Sequence, residues 1–192
     1  MKNPIRNRRR GFTLIELMVS ISIIVLLSGL VIGGYSYVQA RQAKEKAKVQ
    51  IGMLQLALEE YKADHGVYPP GFRAAGTTGT TALYNALFNG WVYNAAGTRV
   101  SGVTARVYLP ALDPNNDPQG WIDQTSGIKI LDPWGVEYRY RVNDNSRTPP
   151  RVFSANPDFD LWSCGPDGTS TAGASGAYDE AAPANKDDIR GW

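Results

Sequence analysis

The chain has 192 residues, 43% of them hydrophobic, with one His, one Cys and 20 Lys and Arg against 18 Asp and Glu, for a formal net charge of +2 at pH 7. That length holds one compact domain with an appendage, and a single cysteine excludes an intramolecular disulfide and a cysteine-built metal site. Lys2, Arg6, Arg8, Arg9 and Arg10 take five of the 20 basic residues; the other 15 face 18 acidic ones, which excludes the basic domain face that nucleic-acid binding requires.

The first element follows the basic tip. From Phe12 to about Tyr35 the residues are apolar apart from Glu16 and a few serines and glycines, a stretch long enough to cross a hydrocarbon core of ~30 Å as a helix. A secretory signal peptide has a shorter apolar region of roughly 7 to 15 residues and a small-x-small cleavage site. A signal anchor fits the length and the basic flank, with the arginines held in the cytoplasm, but it leaves Glu16 unexplained. A carboxylate inside a membrane is costly and requires a partner, unless it lies close enough to the membrane surface to be tolerated.

Residues 36–65 lack proline and are rich in Ala, Gln, Lys, Glu and Leu, so the helix is predicted to continue to about Asp64. Ile51, Leu54, Leu58 and Tyr61 recur at three- and four-residue steps as one apolar stripe, Lys44, Lys48, Gln55, Glu59 and Lys62 lie opposite, and Gly66 follows as a C-terminal glycine would. Gly29, Gly33 and Gly34 serve either local bending or close helix packing. Pro69 and Pro70 force an extended exit. Residues 74–81 are predicted to form a loop and "TALYNALFNG" a short helix with Leu83, Ala86 and Leu87 inward. Residues 91–130 are turn-rich and give no clear element, with a loop at "DPNNDPQG". In "VEYRYRV", Val136, Tyr138, Tyr140 and Val142 alternate with Glu137, Arg139 and Arg141, a half-buried strand; "RVFS" and "FDLWS" are two further strand candidates. Short strands with brief connections predict an antiparallel meander. The expected fold is α+β: a long N-terminal helix, transmembrane in its first half and amphipathic in its second, packed on a small antiparallel β-sheet with long loops.

Gly11, the following Phe12, the spacing to Glu16 and the unbroken apolar helix resemble the type IV pilin and type II secretion pseudopilin superfamily. That resemblance implies that residues 1–11 are a leader removed by a prepilin peptidase, which cuts after Gly11 and methylates Phe12. It also implies that Glu16 meets the N-terminal amine of a neighbouring subunit as chains stack into a helical filament. An ammonium and a carboxylate that leave lipid together offset each other's desolvation. "ILDPWGVEYRYR", "FDLWSCGPDG" and the late "DDIRGW" narrow the resemblance to the major pseudopilins of type II secretion systems. Residues 71–129 and the loop from Thr169 to Asn185 are longer than the family pattern.

The narrower resemblance implies one structural calcium ion, held by the carbonyls of Cys164 and Thr169 and the carboxylates of Asp167, Asp187 and Asp188, with Asp179 or Glu180 able to replace one of them. Calcium takes six to eight oxygens in flexible geometry. Read without the family, "PDG" is a common turn and "KDD" a solvated acidic tail. The implied organisation is a leader at 1–11, a membrane and filament-core helix at 12–35, its amphipathic continuation at 36–65 and a periplasmic domain at 66–192. The implied setting is a single-pass inner-membrane protein that assembles with copies of itself, with minor pseudopilins and with the secretion platform to drive export of folded proteins. A type IV pilus subunit and a membrane-anchored periplasmic binding module whose surface is residues 71–129 are the alternatives. No enzyme is expected: His65 and Cys164 carry no catalytic motif, no phosphate-binding glycine loop or HExxH is present, and Trp91, Trp121, Trp134 and Trp162 are expected in packing.

Overall fold

The computed structural model describes residues 11–71, 79–125, 127–143, 154–171 and 178–192, those at 30–34 and 36 by their backbone only. The chain divides into two compact units, Met1–Gln42 and Ala43–Trp192. In the first unit the secondary structure is the opening of helix α1 (Leu14–His65). Its apolar side chains have no intrachain shelter: Leu14, Ile15, Met18, Ile24 and Leu26 are exposed. Ser20 and Ser22 in this stretch do not leave their hydroxyls unpaired, because Ser20 donates to the Glu16 carbonyl at 2.7 Å and Ser22 to the Met18 carbonyl at 2.8 Å, the usual way a hydroxyl is satisfied inside an apolar helix. Among the described residues no helix is long and apolar enough to cross a membrane. The stretch with described side chains runs from Leu14 to Gly29, short of the ~20 residues a span requires, and the rest of the expected span at 12–35 falls largely on residues whose side chains lie outside the description.

In the second unit α1 buries one face, Ala47, Ile51, Leu54, Ala57, Leu58 and Tyr61, which contains the predicted stripe, and Gly66 ends it at φ +73°. Helix α2 (Thr81–Leu87) contributes Leu83, Tyr84, Ala86 and Leu87 to the same core. Residues 91–130, which carry no clear pattern, form two small antiparallel hairpins: β1 (Trp91–Tyr93) with β2 (Arg99–Thr104), and β3 (Ile122–Asp123) with β4 (Lys129–Ile130). β1 buries two residues, β4 one, and β2 and β3 none, which is why no alternation is legible there. The main sheet is three-stranded and antiparallel in the order β5 (Arg139–Val142), β6 (Phe159–Ser163), β7 (Ile189–Arg190). It departs from expectation in three ways. The first strand begins only at Arg139, because Asp132 to Gly135 form a turn that extends the approach. Of "RVFS", residues 151–153 lie outside the described residues and Ser154 sits in a bend. The third strand is Ile189–Arg190, which belongs to none of the strand candidates read from the sequence.

Tyrosines fasten sheet and hairpin to α1 and to the segment that follows it. Tyr138 is fully buried and donates to Gln50 Oε1 at 2.8 Å, Tyr140 donates to the Pro69 carbonyl at 3.0 Å, and Tyr61 accepts the Tyr93 N–H at 2.9 Å. Trp121 and Trp162 are buried and Trp91 and Trp134 pack at the core's margin, as expected of packing residues.

Candidate functional site

Two regions carry the residues singled out from the sequence. In the first unit, Gly11 has open space around its Cα and Phe12 is 83% exposed, so the peptide bond between them is accessible. Thr13 precedes the first helical residue and its carbonyl already accepts the Leu17 N–H at 3.2 Å. Its hydroxyl accepts the Glu16 N–H at 3.3 Å, while Glu16 Oε2 accepts both the Thr13 N–H at 3.2 Å and the Thr13 hydroxyl at 3.1 Å. This is a reciprocal capping box, built by Thr at the cap and Glu three residues on, and it puts a carboxylate at the positive end of the helix dipole. The pattern "TLIE" was legible in the sequence and was missed, because Glu16 drew attention as a membrane charge. Within one chain, Glu16 is held by Thr13.

In the second unit, β6 ends at Ser163 and runs through fully buried Cys164 into the turn Gly165 to Gly168. Burial pushes the Cys164 thiol up, keeping it protonated and poor as a ligand, so only its carbonyl is available as a hard donor. Pairing of β7 with β6, Ser163 opposite Ile189, brings Asp187 and Asp188 beside this turn. The approach is close: a Cβ on Gly165, which sits at φ +67°, would lie 2.5 Å from the Asp187 carbonyl oxygen. Asp187 Oδ2 accepts the Asp167 N–H at 3.3 Å, and Asp167 Oδ1 accepts the Thr169 N–H at 2.8 Å. Asp188 Oδ2 accepts the Ser170 hydroxyl at 2.8 Å, and that hydroxyl accepts Trp162 Nε1–H at 2.9 Å.

Asp188 Oδ1 is buried without a hydrogen-bond partner. Burial pushes the Asp188 carboxyl above its ordinary range, opposed by the hydroxyls of Ser170 and Tyr178 and reinforced by the charges of Asp187 and Asp167. Three carboxylates and two carbonyls with one orphaned oxygen suit a hard divalent cation, so the donor set fits calcium. Among the described residues, however, no three His, Cys, Asp or Glu side chains converge on one point; Asp167 and Asp187 are turned to backbone N–H groups instead. Asp179 caps the Ala181 N–H at 3.0 Å and Glu180 pairs with Arg190, so both are engaged elsewhere.

Sequence reasoning also missed the supports. Buried Asn185 ties the loop together, donating to the carbonyls of Thr171 and Asp179 and accepting the Thr171 N–H. Buried Asp132 of the "DPWG" turn accepts the Ser163 hydroxyl at 2.5 Å, and Ser163 Oγ accepts the Gly165 N–H at 3.0 Å, which links that turn to the carboxylate loop. His65 packs against Tyr61 and Tyr108, and no pairing with Cys164 appears among the described residues.

Residues 6–32 match the prokaryotic N-terminal methylation motif. The chain is 30% identical over 158 residues to the type II secretion system core protein G of Escherichia coli (strain K12), covering 81% of this chain and 86% of that protein. It is 31% identical over 154 residues to the protein of the same name from Dickeya chrysanthemi, covering 79% of each. Fimbrial protein EcpC of Eikenella corrodens is 38% identical over 90 residues, covering 47% of this chain and 58% of that protein.

Proposed function

The chain belongs to the type II secretion system core protein G family, the major pseudopilins, and from that premise we propose how its residues serve a pseudopilus. It is a structural subunit, and the family relation carries with it a pilus-like oligomer and a precursor processed by a peptidase. The precursor inserts with Arg8, Arg9 and Arg10 on the cytoplasmic side, the peptidase cuts between Gly11 and Phe12, and Phe12 is methylated. Glu16 then accepts the Phe12 ammonium of a neighbouring subunit. Both hydrogen bonds that its carboxylate accepts within the chain go to Oε2, so Oε1 would be the oxygen that meets the neighbour. The freed amine and the capped carboxylate leave lipid as a pair, and the filament they build in the periplasm, with minor pseudopilins and the inner-membrane platform, helps drive folded proteins outward.

Asp167, Asp187 and Asp188, with the carbonyls of Cys164 and Thr169, would hold calcium. The bound ion would supply positive charge that offsets the crowding of three carboxylates. The side chains would rotate from their backbone partners toward a common centre, and Asp188 Oδ1, orphaned now, would gain its ligand. The gain is stability of the loop between β6 and β7.

The observation that carries this reading is the G-F-T-L-I-E motif at 11–16 inside the matched methylation segment. Its test is Glu16→Ala in a secretion-competent strain that depends on this chain. The variant is expected to be processed and membrane-inserted but to form no filament and to export no cargo; filaments and export at the level of the unaltered chain would overturn it. The fimbrial relative favours a second reading, a surface pilus subunit, over the shorter span that it shares. Export restored in a strain lacking its own core protein G supports the pseudopilus; surface pili without export would support the pilus.

A further inference from the structure

One peptide plane of the carboxylate loop is fixed from outside the loop. Ser163 is fully buried at the end of β6, and its hydroxyl donates to Asp132 Oδ2 at 2.5 Å while accepting the Gly165 N–H at 3.0 Å. Chemistry sets the direction of this relay: a carboxylate accepts only, so the hydroxyl spends its single proton on Asp132 and presents a lone pair to Gly165. Asp132 is 2% exposed, and its other oxygen, Oδ1, accepts the N–H groups of Trp134 at 3.0 Å and Val136 at 2.9 Å. The anchor is therefore the closed turn that follows β4, 31 residues before Ser163.

The Cys164 carbonyl and the Gly165 N–H belong to one planar trans peptide, in which C=O and N–H point to opposite sides. Holding the N–H on Ser163 turns the Cys164 carbonyl to the other side of the chain. Without that bond the plane is free to flip, because the residue after it is glycine, at φ +67°, and glycine adopts positive and negative φ about equally. Asp187 lies close against the same peptide: its Oδ2 would be 3.0 Å from a Cβ on Gly165. We propose, on the calcium reading above, that Ser163 is the positioning residue of the cation site, presetting the Cys164 carbonyl as a ligand through the Gly165 N–H before the ion arrives. A preset donor removes the cost of selecting one peptide orientation; a released plane that held the competent orientation about one tenth of the time would weaken binding about tenfold.

The test titrates calcium into the full chain in detergent and into its variants Ser163→Ala and Ser163→Thr. Ser163→Ala is expected to raise the calcium dissociation constant at least tenfold, and Ser163→Thr, which keeps the hydroxyl, to stay within threefold of the unaltered chain. Thermal midpoints in chelator separate this from packing: a side chain that only packs lowers them and leaves the dissociation constant unchanged. Amide exchange in the unaltered chain needs no substitution. In chelator, Gly165 is expected to exchange at least tenfold more slowly than exposed Thr169, whose N–H rests on exposed Asp167. Calcium bound as tightly by Ser163→Ala as by the unaltered chain, Ser163→Thr as weak as Ser163→Ala, or a Gly165 amide that exchanges as fast as Thr169 would each overturn the positioning role and leave the calcium reading standing. If the unaltered chain binds no calcium, the calcium reading fails and the positioning role fails with it.

Discussion

Glu16 has two separable jobs at the scale of a single residue. As the closing residue of a capping box it satisfies the Thr13 N–H, a role that glutamine performs as well; in the proposed filament its charge would neutralise a neighbouring amine, which glutamine cannot. Glu16→Gln is therefore expected to keep the helix start intact while filament assembly is lost, measured as amide exchange protection at Leu17 beside filament yield. Assembly retained by Glu16→Gln would reduce the residue to its capping role. Thr13→Ala removes the cap itself, which costs about 0.5–2 kcal/mol, and is expected to lower protection in the first turn.

Asp64 supplies the pH prediction at the same scale. The Tyr108 hydroxyl, donating at 2.8 Å, and then Arg106 hold its carboxyl below the ordinary range. A depressed carboxyl contributes stability that is present above its unfolded value, about 3.9, and is lost as pH falls through the folded value. Asp64→Asn is expected to melt below the unaltered chain at pH 6, with the gap closing toward pH 3.

At the scale of elements, α1 is held in the second unit by burial. Leu54 is fully buried, so Leu54→Ala is expected to cost about 2–5 kcal/mol, read as a fall in thermal midpoint. The turn after β6 depends on shape instead. Gly165→Ala puts a Cβ against the Asp187 carbonyl at a positive φ, and is expected to part β7 from β6 and lower the melting point even without metal. Periodicity made α1 and α2 legible, since a helix advertises its buried face within a dozen neighbouring residues. The hairpins β1–β2 and β3–β4 stayed hidden because β2 is exposed along most of its length and β3 and β4 span two residues each.

For the whole molecule, the calcium proposal predicts linkage. Asp187→Asn combined with Asp188→Asn is expected to lower the thermal midpoint in calcium and leave it unchanged in chelator, since an ion that binds only the folded chain adds about 2.7 kcal/mol at 100 times its Kd. An equal loss in both buffers would discard the site.

The sequence by itself determined the long helix, the G-F-T-L-I-E motif at 11–16 inside the matched methylation segment, and the turn chemistry of "DPWG" and "GPDG", all properties written in residues close along the chain. Only the tertiary structure decided that "DDIRGW" supplies the third strand and so delivers Asp187 and Asp188 to a turn about twenty residues earlier, and that Val49, Gly52 and Leu56 remain outside the core. Strand pairing and the exposure of one helix face depend on partners far away in sequence, and no local pattern states which partner arrives.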